Sequence, residues 1–373
     1  MTTRGSQHEH AALDLFLGGD VMTGRGVDQI LPHPSSPAIF EEYMHDAREY
    51  VDLAASKNGP IARPVGFEYV WGDGLPDLQR ATVRIVNLET AVTTSDDAWP
   101  DKGINYRMHP ENVPSLISAG LDVCVLANNH VLDWGRAGLV ETLETLRASG
   151  LKTAGAGRDL AEAEELAVVD VPRRGRVLVV SVAETSSGVP VSWEARRDAP
   201  GVALLRSLGE DEADAIAERI ERIRRRGDLV VASIHWGSNW GYEIPEAHVR
   251  FAHALVERGI DVVHGHSSHH ARPLEFHAGK PILYGCGDLI NDYEGISGYE
   301  AFRNELVSMY LLRFSSSGTV ELHVKPFRVR RMRLERALPA DLAWLEETLF
   351  ETCRPYGTEI GTDGEGGLLA RAP

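Results

Sequence analysis

Short aliphatic runs recur along the chain, and several of them end in residues that bind metals or move protons. Five such runs are GGDVM around Asp20, VNLET around Glu89, LANNH around His130, SIHWG around His235 and the histidine-rich VVHGHSSHH. A short β-branched or aliphatic run is typical of a strand that is buried on both faces. In layered α/β folds, ligands bind where such strands end. The pattern therefore predicts a metal site at one edge of a sheet.

The middle of the chain alternates between such runs and segments with apolar residues at helical spacing. This pattern predicts helices and strands in turn: strand 122–127, helix 136–148, strand 177–182, helix 211–225, strand 229–234, helix 245–258 and strand 261–264. After about residue 280 the period changes to two, which predicts a meander with strands at 281–285, 306–314 and 319–329. The chain is therefore expected to form one α/β core with additional strands.

We predict three parts along the chain. Residues 1–10 are expected to be disordered. Residues 11–335 are expected to form a catalytic domain, in which 28–80 is an insertion or lid that is rich in Pro, His and Asp and has a helix at 38–55. Residues 336–373 are expected to form a C-terminal helix, at 339–352, followed by a mobile Gly-rich tail.

The composition limits the kinds of partner that the protein is expected to bind. A formal net charge of −17 disfavours binding to a nucleic-acid backbone or to an anionic membrane. The chain shows no signal peptide and no apolar stretch of membrane-spanning length, so we predict a cytoplasmic protein with no membrane contact. Three scattered cysteines indicate free thiols. Since Walker and GxGxxG motifs are absent, no nucleotide cofactor is expected.

The first three runs supply oxygen ligands and one imidazole. Asp20 and Glu89 offer carboxylates of the kind that Ca²⁺, Mg²⁺ or Mn²⁺ prefer. Asn129 offers an amide oxygen, which leaves His130 for proton transfer, with Asp133 placed to orient it. A Gly-Asp turn at Asp20 and a helix cap at Asp133 are the structural alternatives.

The last two runs supply further imidazoles. His235 ends an apolar run, and His264, His266, His269 and His270 fall within seven residues. That number exceeds what one metal ion needs, so some of them are expected to do acid/base work. Asp288 is a candidate to orient one of them, although a plain Gly-Asp turn explains it equally well. A solvated His-rich loop is the structural alternative for the cluster.

In their order along the chain, the motifs GDVM, NLET, NNHVLDWG, HWGSNWGYEIP and HGHSSHH resemble the CapA-like family of poly-γ-glutamate capsule biosynthesis. That family lies within the calcineurin-like metallophosphoesterase superfamily, and the resemblance covers roughly residues 14–293. It implies an α/β fold with four layers, a β-sandwich flanked by helices. It also implies metal-ligand positions and an acid/base position. The implied ligands are Asp20, Glu89, Asn129, His235 and His266, His130 is the implied acid/base histidine, and His269 matches a further family histidine.

The motifs also depart from the phosphoesterase pattern. Met22 stands where phosphoesterases carry a histidine, Glu89 lies in an Asn-Leu-Glu context, and two serines separate His266 from His269. Fewer imidazole donors favour one hard ion over a two-metal centre. We therefore expect a single divalent cation, Ca²⁺ or Mn²⁺, with Mg²⁺ and Zn²⁺ also compatible.

Two His/Asp pairs around one cation are the arrangement needed to invert a Cα centre. We therefore predict a peptide epimerase, similar to the CapA-like member of lasso-peptide biosynthesis, with a peptide substrate and His130–Asp133 and His269–Asp288 as the proton-transfer pairs. Arg107, Trp236 and His264 are the predicted substrate-binding residues, and Trp134 and Trp240 are also expected near the site. The alternatives are a hydrolase or amide-forming enzyme of poly-γ-glutamate or another envelope polymer, a metallophosphoesterase, or a binding module without activity. The oligomeric state is not predicted.

Overall fold

A computed structural model describes residues 12–315 and 319–373, so the disorder predicted for 1–10 lies outside the described residues. The α-helices of the described chain are α1 Arg25–Asp28, α2 Arg48–Asn58, α3 Leu75–Arg80, α4 Pro114–Ser118, α5 Gly135–Ala148, α6 Leu160–Ala163, α7 Glu210–Glu221, α8 Glu246–Glu257 and α9 Pro339–Cys353. Short 3₁₀ segments occur at Tyr69–Gly74, Pro110–Asn112, Thr185–Ser187, Val191–Trp193, Glu300–Phe302 and Arg354–Tyr356.

The strands follow in chain order. They are β1 Leu13–Val21, β2 Val83–Leu88, β3 Ala91–Val92, β4 Arg107–Met108, β5 Val123–Val125, β6 Lys152–Ala154, β7 Ala156–Gly157, β8 Ala167–Val171, β9 Gly175–Ala183, β10 Gly201–Val202, β11 Leu229–His235, β12 Val262–His266, β13 Leu274–His277, β14 Lys280–Leu283, β15 Asp288–Ile290, β16 Leu306–Phe314, β17 Val320–Arg330, β18 Arg333–Arg336, β19 Glu359–Thr362 and β20 Leu368–Arg371.

The first sheet has β1 near its centre. Its order is β19–β20–β17–β16–β1–β2–β5–β6, with β15 beside β1 and β18 beside β17. The strands β1, β2, β5 and β6 run parallel to one another. β16 is antiparallel to β1, and β17 is antiparallel to β16. On one side of β1, β16 pairs with Leu13–Leu17 and β15 takes over at Asp20. The carboxyl end of β1 therefore lies between two parallel neighbours, β2 and β15.

The second sheet has the order β13–β14–β12–β11–β9–β8. Its central strands β9, β11, β12 and β14 are parallel, and the edge strands β8 and β13 are antiparallel to their neighbours. The carboxyl ends of β11 and β12 bring His235 opposite His266 in register. Two of the predicted ligands are thus neighbours because of strand pairing alone.

Alternation along the strands builds three cores. Leu15 and Leu17 of β1 pack between the sheets with Val179 of β9, while Phe16 faces the helices outside the first sheet. Leu178 of β9 faces the helices outside the second sheet, together with apolar residues of α7 and α8. Period-two alternation on both sheets thus gives helix, sheet, sheet and helix layers. The predicted four-layer α/β fold class is confirmed.

Two segments differ from their predictions. The helix predicted at 38–55 begins only at Arg48, because Ala38 forms an antiparallel bridge with Asp46 and ties the preceding residues into a loop. The tail that was predicted to be mobile instead carries β19 and β20. Leu368 and Ala370 lie in the core between the sheets, and β20 pairs with β17. Burial of these apolar side chains holds the tail in the first sheet.

Two smaller findings concern the cysteines and membrane contact. Cys124, Cys286 and Cys353 are free and buried. Within residues 12–315 and 319–373, none of the helices is long and apolar enough to cross a membrane.

Candidate metal centre and active site

Asp20 lies at the carboxyl end of β1, where the chain runs very close to its neighbours. The register of β1 against β2 shifts between Gly18 and Asp20, and the Asp20 N–H donates to the Gly287 carbonyl oxygen over 3.0 Å. A Cβ atom on Gly19 would lie 1.6 Å from that same oxygen. Glycine at position 19 is therefore required by close backbone approach rather than by an unusual φ angle.

An asparagine network holds the two buried carboxylates. The Asn87 side-chain amide donates to Asp20 Oδ1 over 2.7 Å and to Glu89 Oε2 over 2.6 Å. The side-chain oxygen of Asn87, Oδ1, in turn accepts from Asn128 Nδ2 over 2.9 Å. Asp20 Oδ2 is buried without a hydrogen-bond partner. An unpartnered carboxylate oxygen in the interior is the expected state of a metal ligand seen without its cation.

The electrostatics of these carboxylates favour a cation. Burial, followed by the charge of Asp288, raises the pKa of Asp20 to about 7. Burial and the charge of Asp20 raise the pKa of Glu89 well above its ordinary value. Carboxylates that are this unfavourable to ionise need a compensating positive charge. The donor set therefore fits a divalent cation.

Imidazole and amide ligands complete this donor set. His235 Nδ1 lies 2.8 Å from His266 Nδ1 and 3.8 Å from Glu89 Oε2, while His235 Nε2 lies 3.1 Å from Asn129 Oδ1. Burial lowers the pKa of both histidines well below the ordinary value, so they are neutral, as metal ligation requires. The structure thus brings the five predicted ligands into one cluster, which we call the strand-end cluster.

Asp20 belongs to two donor groups within this region. Asp20, His235 and His266 can offer ligand atoms that all lie within 4.8 Å of one another, and so can Asp20, His269 and Asp288. Since Asp20 is common to both groups, one cation in the first group would neighbour the His269–Asp288 pair. The identity and the number of the ions stay predictions.

His130 is held as a proton acceptor. Its Nδ1 lies 2.6 Å from Asp133 Oδ2, and Lys102 Nζ lies 3.0 Å from the other oxygen of that carboxylate. Burial lowers the pKa of His130 to about 4, against the opposing charge of Asp133. With the Nδ1 proton directed at Asp133, Nε2 keeps its lone pair and lies 3.9 Å from Glu89 Oε1.

His269 has the opposite character. Its Nδ1 lies 2.9 Å from Asp288 Oδ1, and Asn291 Nδ2 donates to the second oxygen of Asp288 over 2.8 Å. Burial works against protonation, but the nearby charges of Asp288 and Asp20 outweigh it and raise the pKa of His269. Two histidines whose pKa values are moved in opposite directions are suited to act as a base and an acid.

Two tyrosines that the sequence did not single out connect these pairs. The Tyr293 hydroxyl lies 3.4 Å from His269 Nε2 and 3.4 Å from the Tyr106 hydroxyl. The Tyr106 ring packs edge-on against His130, with ring centroids 4.6 Å apart. Both tyrosines and Lys102 come from loops, where no periodicity or motif in one sequence marks them.

The three predicted substrate-binding residues are not brought to an open site. The Arg107 guanidinium donates to the Ser95 carbonyl oxygen and to Asp96, and it stacks on a tryptophan ring. Trp236 packs in the core outside the second sheet and donates to the Tyr284 carbonyl oxygen over 3.0 Å. His264 is fully buried and lies 2.9 Å from the Gly18 carbonyl oxygen. Their donors and surfaces are already used within the protein.

An aromatic mouth leads to His269. It is a cavity of about 100 Å³, lined among others by His269, Tyr293, Trp240, Tyr299 and Tyr43. The Trp240 and Tyr299 rings stack at 4.1 Å, and Tyr43 is 72% exposed. Tyr43 belongs to the segment 28–80 that was predicted as an insertion or lid. That segment thus reaches the mouth, while its role as a lid stays a prediction.

The fold and this cluster define an α/β protein with a candidate metal centre at the strand ends. Residues 14–293 match the family described as bacterial capsule synthesis protein PGA_cap, and the chain belongs to this family.

Similar proteins come from mycobacteria and from Bacillus. The chain is 49% identical, over 93% of its length and 93% of theirs, to probable polyglutamine synthesis accessory proteins from two strains of Mycobacterium tuberculosis. It is 25% identical to the PGA biosynthesis protein CapA of Bacillus subtilis, over 82% of this chain and 69% of that protein. The crystal structure of TT1561 of Thermus thermophilus aligns with 82% of this chain and 100% of that one at 10% identity and a TM-score of 0.37, a likeness too distant to indicate a function.

Proposed function

We propose that this protein is a metal-dependent enzyme that cleaves or transfers an amide bond of a glutamyl polymer. The observation that carries the proposal is the strand-end cluster flanked by two His–Asp pairs, His130–Asp133 and His269–Asp288. A site with a cation cradle, a base and an acid has the parts that amide chemistry needs.

The cation would be held by Asp20, Glu89, Asn129, His235 and His266. Their oxygen-rich donor set suits one hard ion, Ca²⁺ or Mn²⁺. When bound, such an ion supplies positive charge beside a carbonyl oxygen and so stabilises the charge that develops there.

The remaining steps are assigned to the chain's own residues. His130 Nε2 takes a proton from water as the water oxygen bonds to the scissile carbonyl carbon. His269 gives a proton to the leaving nitrogen as the carbon–nitrogen bond breaks, so hydrolysis consumes one water and yields a carboxylic acid and an amine. If an amine of a second chain takes the place of water, the same steps transfer the acyl group.

Two findings support a glutamyl polymer as substrate. The relatives are named for polyglutamine synthesis and for PGA biosynthesis. The cavity at the mouth is small, about 100 Å³, a volume that suits the end of a chain rather than a folded domain.

Peptide epimerisation is the second candidate. It is favoured by the pairing of one histidine of lowered pKa, His130, with one of raised pKa, His269, because Cα inversion needs one group to remove a proton and another to return one. The names of the relatives favour the polymer over a lasso-type precursor peptide.

One experiment separates these functions. The purified protein is incubated in D₂O with γ-linked and α-linked glutamyl oligomers, with Ca²⁺ or Mn²⁺ or with a chelator, and products are analysed by mass and residue chirality. We expect metal-dependent shortening by hydrolysis, or exchange of chain lengths by transfer. Inverted residues that carry one deuterium would instead establish epimerisation.

The controls use matched histidines. His130→Gln should lower turnover by about 10²–10⁴-fold, whereas His33→Gln, a surface histidine paired with Glu111, should leave it unchanged. Unchanged oligomers under every metal would refute the proposal. Hydrolysis of a simple phosphate ester alone would assign the site to phosphoesterase chemistry.

A further inference from the structure

A second group of metal-binding side chains lies outside the strand-end cluster. His253 of α8 and Glu275 and His277 of β13 offer ligand atoms that all lie within 4.8 Å of one another. None of these residues takes part in the chemistry described above. We propose that they form a separate site for a transition-metal cation of the Zn²⁺ type.

The spacing of the residues places them on facing surfaces. Glu275 and His277 are two residues apart on β13, so both face the same side of the sheet. Their neighbours Leu274 and Phe276 point the other way, into the core between the sheets. On α8, His253 and Glu257 are four residues apart and so share one face of the helix. Two side chains of the helix therefore meet two of the edge strand.

The contacts show that these groups are already assembled. His253 Nε2 lies 2.7 Å from Glu275 Oε1, and His277 Nε2 lies 3.2 Å from Glu257 Oε1. The two imidazole rings stack with centroids 3.8 Å apart at an angle of 8°. Each imidazole is thus held beside a carboxylate and against the other imidazole, and the stacked rings need only turn so that one nitrogen of each faces a common cation.

One ligand is held rigidly and the others remain accessible. The Tyr284 hydroxyl donates to Glu275 Oε2 over 2.5 Å, which fixes the carboxylate and leaves Oε1 directed at the histidines. The side chains of His253 and His277 are 28% and 26% exposed, and that of Glu257 is 62% exposed. A cation can therefore reach the site from solvent.

The donor chemistry selects the ion. Two imidazoles and two carboxylates suit Zn²⁺, Co²⁺ or Ni²⁺, whereas Ca²⁺ and Mg²⁺ prefer oxygen ligands alone. Three of these residues have ligand atoms within 4.8 Å of one another, and Glu257, beside His277, would become the fourth ligand of a closed, structural type of site by turning toward the ion. Bound there, the ion would fasten α8 to the edge strand β13.

The site is separate from the strand-end cluster. His277 pairs with Lys280 at the beginning of β14, whereas the strand-end cluster lies where β11 and β12 finish. Because β14 runs parallel to β12, its beginning lies toward the opposite edge of the sheet. The two sites can therefore be emptied independently by substitution.

The test counts bound Zn²⁺ in a protein whose strand-end cluster is disabled. Asp20→Asn protein is stripped with chelator, dialysed against Zn²⁺ and analysed by metal content and by calorimetric titration. We expect one equivalent to remain, and we expect the added changes His253→Gln and His277→Gln to abolish it or to weaken its binding at least tenfold. The added change His33→Gln, at a single imidazole beside one carboxylate, should leave it unchanged.

Two further measurements guard the result. Circular dichroism and melting temperature in chelator show whether the variants fold. If the double histidine variant does not fold, the single change Glu257→Gln, on an exposed side chain, is tested in its place. Equal Zn²⁺ content and affinity with and without the histidine changes would overturn the proposal. Since the assay measures binding only, its outcome is independent of the activity proposed for the strand-end cluster.

Discussion

Replacing Asp20 with asparagine should have opposite effects with and without metal. The carboxylate is fully buried, and its pKa of about 7 in the folded protein compares with 3.8 as its ordinary value. Three pKa units correspond to roughly 4 kcal/mol, which is the penalty for ionising Asp20 in the metal-free protein. An asparagine keeps the oxygen that accepts from Asn87 and removes the charge.

The sign of the pH dependence follows from the raised pKa. The folded protein binds the Asp20 proton more tightly than the unfolded chain does, so the contribution of Asp20 to metal-free stability falls as the pH rises from about 4 to about 7, and then levels off. Asp20→Asn should remove that fall. In chelator at pH 8, the variant should be more stable by up to about 4 kcal/mol, or about 5 °C in melting temperature for a chain of this length.

Metal should reverse the advantage of the variant. A cation at 1,000 times its dissociation constant stabilises the wild type by about 4.1 kcal/mol, which matches the largest advantage expected for the variant, and a higher concentration reverses it. The variant, which lacks the shared ligand of both donor groups, should gain much less from Ca²⁺ or Mn²⁺. Differential scanning calorimetry across pH 5–8 measures the melting temperatures of the wild type and the variant, each with the ion and with chelator.

The control is Asp96→Asn, at an exposed carboxylate that pairs with Arg107. It should change stability by about 1 kcal/mol or less and leave the metal-induced gain intact. The assignment of Asp20 as a metal ligand that is costly to ionise without metal is wrong in either of two cases. Asp20→Asn is less stable than the wild type in chelator at pH 8, or metal stabilises the variant as much as it stabilises the wild type.

Four further substitutions and one control test other parts of the structure. His130→Gln and His269→Gln should each lower kcat by about 10²–10⁴-fold in steady-state kinetics, while metal titration should show unchanged metal binding. Loss of the metal would indicate that the histidine is a ligand instead. Gly19→Ala should destabilise the protein by about 3 kcal/mol or more in urea unfolding, because its Cβ would meet a backbone oxygen at 1.6 Å, whereas Gly66→Ala, with no atom within 4 Å, should be nearly neutral. Trp240→Ala should raise KM for a glutamyl oligomer about tenfold with little change in kcat, because its ring lines the mouth and not the reacting pairs; an unchanged KM would remove the mouth from the substrate path.

The sequence was sufficient to predict the fold class and to nominate the residues that meet at the strand ends. Parallel strands align their carboxyl ends, so Asp20, Glu89 and His235 could be expected to converge once each was assigned to the end of a strand. The same reasoning could not show that Asp20 would be common to two donor groups. That depends on β15 pairing with β1, a contact between residues that are far apart in the sequence.

Side chains from loops were beyond prediction for a physical reason. Lys102, Tyr106 and Tyr293 reach the histidine pairs through irregular backbone, whose path no periodicity specifies. Arg107 was expected to bind the substrate, but the structure directs its guanidinium to the Ser95 carbonyl oxygen and Asp96. A residue type indicates what a side chain can bind, and only the fold determines which partner reaches it first.

The tail illustrates how tertiary contacts override composition. The Gly-rich sequence around Gly364 and Gly366 suggested mobility, yet Leu368 and Ala370 beyond it are buried against β17. A short apolar run gives too weak a signal to outweigh the glycines before it. Its partner strand supplies the burial that the local sequence cannot show.

The position of Asp20 on the central strand of a closed sandwich bears on how fast an ion can be replaced. Strands at the centre of a sheet open last, and only when the whole domain unfolds, whereas loops open on far shorter timescales. We expect an ion at Asp20 to leave past the aromatic mouth, through movements of the segments that carry Tyr43 and Tyr299, because His269, which shares a donor group with Asp20, lines that mouth. The residence time of the ion would then be governed by loop motion rather than by ligand affinity alone, and a chelator would strip the protein slowly even where binding is weak.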